Sequence, residues 1–259
     1  LVSSAASDVY KRQQLRWVQS TWAGIDAIAH FASETLRITP LKGVFGPAMT
    51  EYVMGWLLAI ERDVISRASH TQWTPSLEPR ITGKRLGIMG AGGIGAAIAL
   101  AAKPFGLEVI GLNSDGRAVE GFAACYPSAD RLVFAEGIDY LVSVLPQTAH
   151  TENLIDHEVL TRLNPRAIVI NAGRGNAVVE ADLIASLNAG HLRAAVLDVF
   201  RVEPLPPDDP LWSTPGVHIT SHTAGPTPDE AVAEVFERNL QRYIAAEPLI
   251  DAVRSGHGY

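Results

Sequence analysis

The 259-residue sequence predicts an α/β protein built on a doubly wound parallel sheet. Three observations carry that reading. Residues 85–117, RLGIMGAGGIGAAIALAAKPFGLEVIGLNSDGR, run strand, glycine-rich turn, helix, strand, an order that fits within about thirty residues. Downstream, apolar runs of strand length alternate with helical segments, which calls for a parallel sheet covered on both faces. Polar residues capable of chemistry follow these runs directly, at the edge where such sheets bind ligands.

The first strand of the central unit is expected at Arg85–Met89 and ends in a G-x-G-x-x-G, Gly90-Ala91-Gly92-Gly93-Ile94-Gly95. Gly90 suits a tight turn, Gly92 admits a pyrophosphate to the backbone, and Gly95 lets helix and strand pack closely. The helix that follows, in small residues through Lys103, presents free N–H groups and a positive dipole end to phosphates. Pro104 and Gly106 stop it, and Leu107–Leu112 reads as the second strand.

Upstream, residues 1–13 (LVSSAASDVYKRQ) have no periodicity and begin with Leu rather than Met, so they read as a foreign or disordered leader, with recognisable protein from about Gln14. Short strands are expected at Leu15–Gln19 and Thr35–Thr39, around a turn at Ser20–Asp26 and a helical run to Phe31. A helix is expected from Thr50 as N-cap, with Val53, Leu57, Ile60 and Val64 on one face. Residues 67–83 are polar and read as a surface excursion carrying Trp73, which docks on a partner subunit or on its own domain.

Beyond the central unit, residues 113–137 read as irregular. Strands are expected at Ile138–Leu145, Arg166–Ile170, Arg193–Val199 and Val217–Thr220, and helices at Asp156–Leu163 and Glu180–Asn188 with Gly190 as the stop. Thr227-Pro228-Asp229-Glu230 forms a capping box that opens a long helix to about Ala246. The ligand edge then carries the turns at Gly90, Pro146, Asn171, Val199 and Thr220.

Composition bounds the partners. With 47% apolar and 19% charged residues the chain has the makeup of a globular protein with a sizeable core. A net charge of -7 argues against nucleic acid or an anionic membrane as the main partner. No run is long and apolar enough for a membrane span. Cys125 is the only cysteine, which excludes an intrachain disulfide and fits a reducing, cytoplasmic setting. The eight histidines lack metal-ligand spacing, so no metal is expected.

Three side chains stand out at the ligand edge. Arg174 lies between glycines in NAGRG, where a guanidinium can clamp a carboxylate through two hydrogen bonds. Glu203 lies in DVFRVEPLPPDDPLW and His222 in ITSHTAG, each just past a strand. A carboxylate bonded to one ring nitrogen would orient the imidazole and stabilise its cation, as a general acid needs.

With the glycine-rich turn, NAGRG, DVF-x-x-EPLP and SHTAG in this order, the chain resembles the D-isomer-specific 2-hydroxyacid dehydrogenases from about residue 14 to its end. Within them WVQSTWAGID, SVLPQTAHTENLI, EPLPPDDPLW and the terminal Gly-Tyr are most similar to the glyoxylate/hydroxypyruvate reductase A branch. The resemblance implies a Rossmann nucleotide domain at 47–226, inserted in a partial flavodoxin-like substrate domain formed by 14–46 and 227–259. It implies catalytic Arg174, Glu203 and His222, substrate contacts at Gly24, Ile25 and Arg174, nicotinamide-side contacts at Leu145, Pro146, Ala172 and Asp198, and a homodimer. The family also has a half-lobe before the position of Leu15 that this chain lacks.

The implied activity is reduction of a small 2-oxo acid, of the glyoxylate or hydroxypyruvate class, with NAD(P)H. A second reading is a nucleotide-sensing binding protein of the same fold with a protein partner, as in the related corepressors. Where an NAD site carries Asp or Glu at the end of the second strand, this chain has Asn113-Ser114, with Arg117 nearby. These residues bond a phosphate without repelling it, so NADP is the expected cofactor over NAD.

Overall fold

A computed structural model describes residues 15–75, 77, 80–227 and 229–253. The leader, Gln14, Pro228 and the terminal Gly-Tyr lie outside the described residues. The chain divides into two compact units, Phe45–Pro226 and the remainder on either side.

The larger unit is organised by a sheet of parallel strands: β3 (Arg85–Met89), β4 (Glu108–Asn113), β5 (Ala124–Pro127), β6 (Tyr140–Ser143), β7 (Ala167–Asn171), β8 (Leu192–Leu197) and β9 (Val217–Ile219). Their spatial order is β5-β4-β3-β6-β7-β8-β9, so the direction of winding reverses between β3 and β6. The period of two decides which face each residue serves. Tyr140, Val142, Ile168, Ile170, Ala194 and Val196 share one core with Val53, Leu57 and Ile60 of α1 (Gly46–Glu61), and with Ile98, Ala99 and Ala102 of α3 (Gly93–Ala102). Leu141, Val169, Ala195 and Leu197 face the other core. There they meet Phe134 of α4 (Arg131–Ala135), Val159 and Leu160 of α5 (His157–Arg162), and Leu183 and Leu187 of α6 (Glu180–Asn188). Helices thus cover both faces, the doubly wound α/β arrangement expected.

Several sequence expectations need correction. Helix α1 begins at Gly46, not after a Thr50 cap, with proline in its first turn. Proline lacks an N–H that the first turn would leave unbonded anyway, so Pro47 opens the helix instead of delaying it. Val64 is 53% exposed and leaves the α1 face, because Asp63 turns left-handed (φ 51°) and starts a separate short helix, α2 (Val64–Arg67). The stretch 113–137, expected to be irregular, holds β5 and α4. The residues of β5 are only half-buried or exposed, so this edge strand carries no strong apolar alternation.

In the smaller unit, β1 (Trp17–Gln19) and β2 (Arg37–Thr39) pair in parallel. The Trp17 ring stacks on Phe236 and Tyr243 of α7 (Asp229–Ile244), at centroid distances of 5.3 and 5.6 Å. Asn239 of α7, 2% exposed, accepts from the Ile250 amide at 2.8 Å and donates to the Gln19 side chain at 3.2 Å. Ile25 is buried with Ile38 and Ala32. Among the described residues no helix is long and apolar enough to cross a membrane.

Candidate active site

Because every strand of the larger unit runs the same way, its carboxyl ends converge on one edge. In open sheets of this type the ligand crevice lies where the strand order reverses, here between β3 and β6. The Gly90 turn (φ 104°) sits at the end of β3, and a Cβ there would lie 3.0 Å from the Val144 carbonyl oxygen just past β6. At Gly95 an added Cβ would lie 2.3 Å from the Gly90 carbonyl oxygen, so only glycine lets α3 start this close to the turn. Gly92 and Gly93 are exposed, with nothing within 4 Å of such a Cβ. A closely packed strand–turn–helix with an open backbone at its tip, directly before the free N–H groups of α3, fits a dinucleotide pyrophosphate.

At the end of β4 the Asn113 side chain is engaged within its own loop. It donates to the Arg117 carbonyl at 2.8 Å and accepts from the Gly116 amide at 2.6 Å, and the residue is 8% exposed. Asn113 therefore shapes this loop. Ser114 and Arg117 are exposed, and Arg117 pairs with the exposed Asp115 at 2.9 Å. Hydrogen bonds from the Arg117 amide and guanidinium hold the Asp115 carboxyl below its ordinary range.

The turn after β7 carries Arg174. Asn171, 1% exposed, clasps it by donating to the Arg174 carbonyl at 3.0 Å and accepting from the Gly173 amide at 3.3 Å. The flanking glycines are required by chain packing. A Cβ on Gly173 would lie 2.5 Å from the Leu145 nitrogen, and one on Gly175 would lie 1.9 Å from the Phe200 carbonyl carbon. Leu145 itself is 7% exposed and belongs to the core, whereas Pro146 and Ala172 are half-buried.

Glu203 and His222 are brought together. The ring Nδ1 of His222 lies 2.8 Å from Glu203 Oε2, and the other carboxylate oxygen accepts from the Phe200 amide at 2.9 Å. Phe200, Pro204, Leu205, Trp212 and Ile219 line a cavity of about 430 Å³ beside the pair. His222 takes a left-handed backbone (φ 56°), which a non-glycine residue holds only when its surroundings over-determine it. Asp198 supplies that restraint. Its carbonyl accepts from the His222 amide at 2.8 Å, and its carboxylate accepts from the Thr223 and Ala224 amides at 2.8 and 3.0 Å.

The Asp198 carboxylate, 1% exposed, also accepts from the Thr220 hydroxyl, which lies 2.7 Å from the Tyr52 hydroxyl on α1. Since Thr220 gives its proton to Asp198, Tyr52 is the donor to Thr220. Burial first, with the Asp198 charge adding, pushes the Tyr52 hydroxyl up to about 12 and keeps it a donor. Sequence reasoning missed Tyr52, and placed Asn171 and Thr220 at ligand-edge turns without a role for either. Asp198, which the family resemblance places on the nicotinamide side, follows β8 and bonds the Thr220, Thr223 and Ala224 donors through its carboxylate. Gly24 and Ile25 lie in the smaller unit, where the Ile25 carbonyl accepts from the Ile28 and Ala29 amides.

Fold and ligand edge together define a dinucleotide-dependent oxidoreductase. Residues 55–224 match the family described as D-isomer specific 2-hydroxyacid dehydrogenase, NAD binding domain. The chain belongs to this family and is an NAD(P)-dependent enzyme of 2-hydroxy and 2-oxo acids. It is 35% identical over 259 residues to glyoxylate/hydroxypyruvate reductase A of Yersinia enterocolitica, covering 94% of this chain and 82% of that protein. A family member from Aeromonas salmonicida is similar in structure, with a TM-score of 0.86 at 37% identity, over 95% of this chain and 81% of that one. So is the NADPH-dependent glyoxylate/hydroxypyruvate reductase of Sinorhizobium meliloti, solved with NADP and sulfate, with a TM-score of 0.89 at 30% identity, over 100% and 85% of the chains.

Proposed function

We propose that the protein reduces glyoxylate, hydroxypyruvate or a 2-oxo acid of that size to the 2-hydroxy acid, with His222 as the proton donor. The observation that carries this reading is the 2.8 Å contact between His222 Nδ1 and Glu203 at the ligand edge of a dinucleotide-binding sheet. A carboxylate on Nδ1 fixes the ring and leaves Nε2 to give a proton to the substrate oxygen. Arg174 binds the substrate carboxylate through its guanidinium and polarises the carbonyl. Gly24 and Ile25 are assigned to the same carboxylate through their amides, on the family resemblance. Gly90, Gly92, Gly93, Ile94 and Gly95 are assigned to the cofactor pyrophosphate, and Pro146 and Ala172 to its nicotinamide side. When bound, the reduced dinucleotide supplies the hydride to the carbonyl carbon. Asp198, by clasping the amides of residues 222–224, keeps the proton donor in place.

NADPH is proposed as the preferred reductant. The β4 end lacks the carboxylate that would repel the extra phosphate, and the loop exposes Ser114 and Arg117. The Arg117–Asp115 pair is solvent-exposed on both sides, so an incoming phosphate breaks a contact worth little. The test is kcat/KM with NADPH and NADH, in wild type and Arg117→Ala. A ratio favouring NADPH that falls in the variant supports the assignment, and a ratio favouring NADH in both removes it. The substrate reading is tested by oxidation of NADPH with glyoxylate and hydroxypyruvate as acceptors.

The protein is also proposed to work as a homodimer in the cytoplasm. Trp73 is 95% exposed and Leu77 fully so, apolar side chains that a second copy would cover. Sedimentation of wild type and Trp73→Ala tests this, and a wild type that sediments as a monomer at micromolar concentration contradicts it.

A further inference from the structure

We propose that Arg201 is a positioning residue for the reaction: it clamps the Arg174 turn to the Glu203 turn and so sets where the proton donor stands relative to the substrate carboxylate. The proposal rests on the roles given above to Arg174, Glu203 and His222. Arg201 follows β8 and lies two residues before Glu203, with its side chain 31% exposed. Its Nε and Nη2 both donate to the Val178 carbonyl, at 3.0 and 2.7 Å. Nη2 also donates to the Asn176 carbonyl at 3.0 Å and to the Asn153 side-chain oxygen. Nη1 pairs with Glu152 at 2.8 Å. The planar fork of a guanidinium reaches these acceptors at once, which a lysine ammonium does not.

The acceptors belong to two other loops of the ligand edge. Asn176 and Val178 lie in the turn that carries Arg174, and Glu152 and Asn153 in the loop that leaves β6. Those two loops are themselves joined, by Asn176 to Glu152 at 3.0 Å and by the Asn153 amide to the Asn176 carbonyl at 2.9 Å. Arg201 ties the third loop to them.

Phe200, the residue before Arg201, has two duties of its own. The Phe200 amide donates to Glu203 Oε1, opposite the oxygen that meets His222. The Phe200–Arg201 peptide is also the surface against which Gly175 is pressed, with 1.9 Å between the position of its absent Cβ and the Phe200 carbonyl carbon. Phe200 thus abuts the residue after Arg174 through its carbonyl and, through its amide, orients the carboxylate that orients His222. A guanidinium that immobilises it couples the two halves of the site mechanically, without contacting substrate or cofactor. No local pattern signals this role, because Arg201 bonds main-chain oxygens and loop side chains 23 to 49 residues away.

The test is a double-variant comparison of Arg201→Ala and Glu203→Gln, alone and together. It reads kcat and KM for glyoxylate with NADPH, the Kd for NADPH and the thermal midpoint. Misplacing catalytic groups by about an ångström lowers turnover on the order of 10- to 100-fold. Arg201→Ala is expected to lower kcat by that much, leave the Kd for NADPH within about twofold, and add no further loss in the Glu203→Gln background. Arg201→Lys keeps the charge but not the fork and is expected between wild type and alanine. It carries the same comparison where the alanine variant does not fold. Losses that multiply in the double variant, or a kcat unchanged by Arg201→Ala, overturn the proposal while leaving the Glu203–His222 reading intact. A Glu203→Gln single variant with full turnover overturns that reading, and the proposal with it.

Discussion

His222 has to satisfy two demands at once, a strained backbone and an oriented ring, and separate partners meet them. Asp198 holds the backbone, while Glu203 holds the ring. Tyr52 and Thr220 belong to the first set. Tyr52 ionises less readily folded than unfolded, with its hydroxyl raised from 10.0 to about 12. Its contribution to stability is therefore fully present below about pH 10 and is lost as pH rises toward 12. Tyr52→Phe is expected to flatten the fall of stability between about pH 10 and 12, followed by urea unfolding. A variant with the wild-type slope contradicts the contribution of Tyr52. Thr220→Val removes one donor to a buried carboxylate and the acceptor of the Tyr52 hydroxyl, which is expected to cost about 1 to 3 kcal/mol. The same denaturation series reads it, and a loss within experimental error of zero contradicts the network.

At the scale of the element, the glycine-rich turn separates folding from binding within a few residues. Gly95→Ala drives a Cβ into the Gly90 carbonyl, so the strand–helix packing itself must shift. Gly92→Ala meets nothing within 4 Å and keeps an extended backbone that alanine adopts, so only a ligand at the turn would feel it. Gly95→Ala is therefore expected to lower the thermal midpoint and abolish cofactor binding. Gly92→Ala is expected to keep the midpoint within about 2 °C, the lower end of what 1 kcal/mol shifts in a domain of this size, while weakening NADPH binding at least tenfold. Calorimetry and fluorescence titration check the pair. Equal effects of the two substitutions on both readouts contradict the division.

What could be read in advance follows from the range of each interaction. Strands β3 and β4 declare themselves as apolar runs bounded by glycine, and helix α6 by helical spacing of Leu183 and Leu187 before the Gly190 stop. The half-exposed β5 does not, and Pro47 gave no notice that α1 starts before Thr50. The contact between Glu203 and His222 was legible because both follow strands at one edge. The web around Asp198 and Arg201 was not, since its acceptors and donors are largely main-chain atoms whose position only the fold decides.

For the whole molecule, the larger unit is one continuous segment with its own cores on both faces of the sheet, built from its own residues. A fragment spanning residues 45–226 is therefore expected to unfold cooperatively and to bind NADPH, but to lack turnover because the assigned Gly24 and Ile25 amides are missing. Circular dichroism melts and cofactor titration of the fragment check this. A fragment that shows no cooperative transition contradicts the independence of the unit.

The central claim is that a 2-oxo acid is reduced here with His222 as proton donor. The most direct measurement is steady-state oxidation of NADPH with glyoxylate and hydroxypyruvate, in wild type and His222→Ala, with the Kd for NADPH measured alongside. Wild type is expected to turn over at least one of the two acids. The variant is expected to lose kcat on the order of 10²- to 10⁴-fold, with cofactor affinity changed by less than about twofold. A wild type inert toward both acids, or a His222→Ala variant with normal turnover, would contradict it.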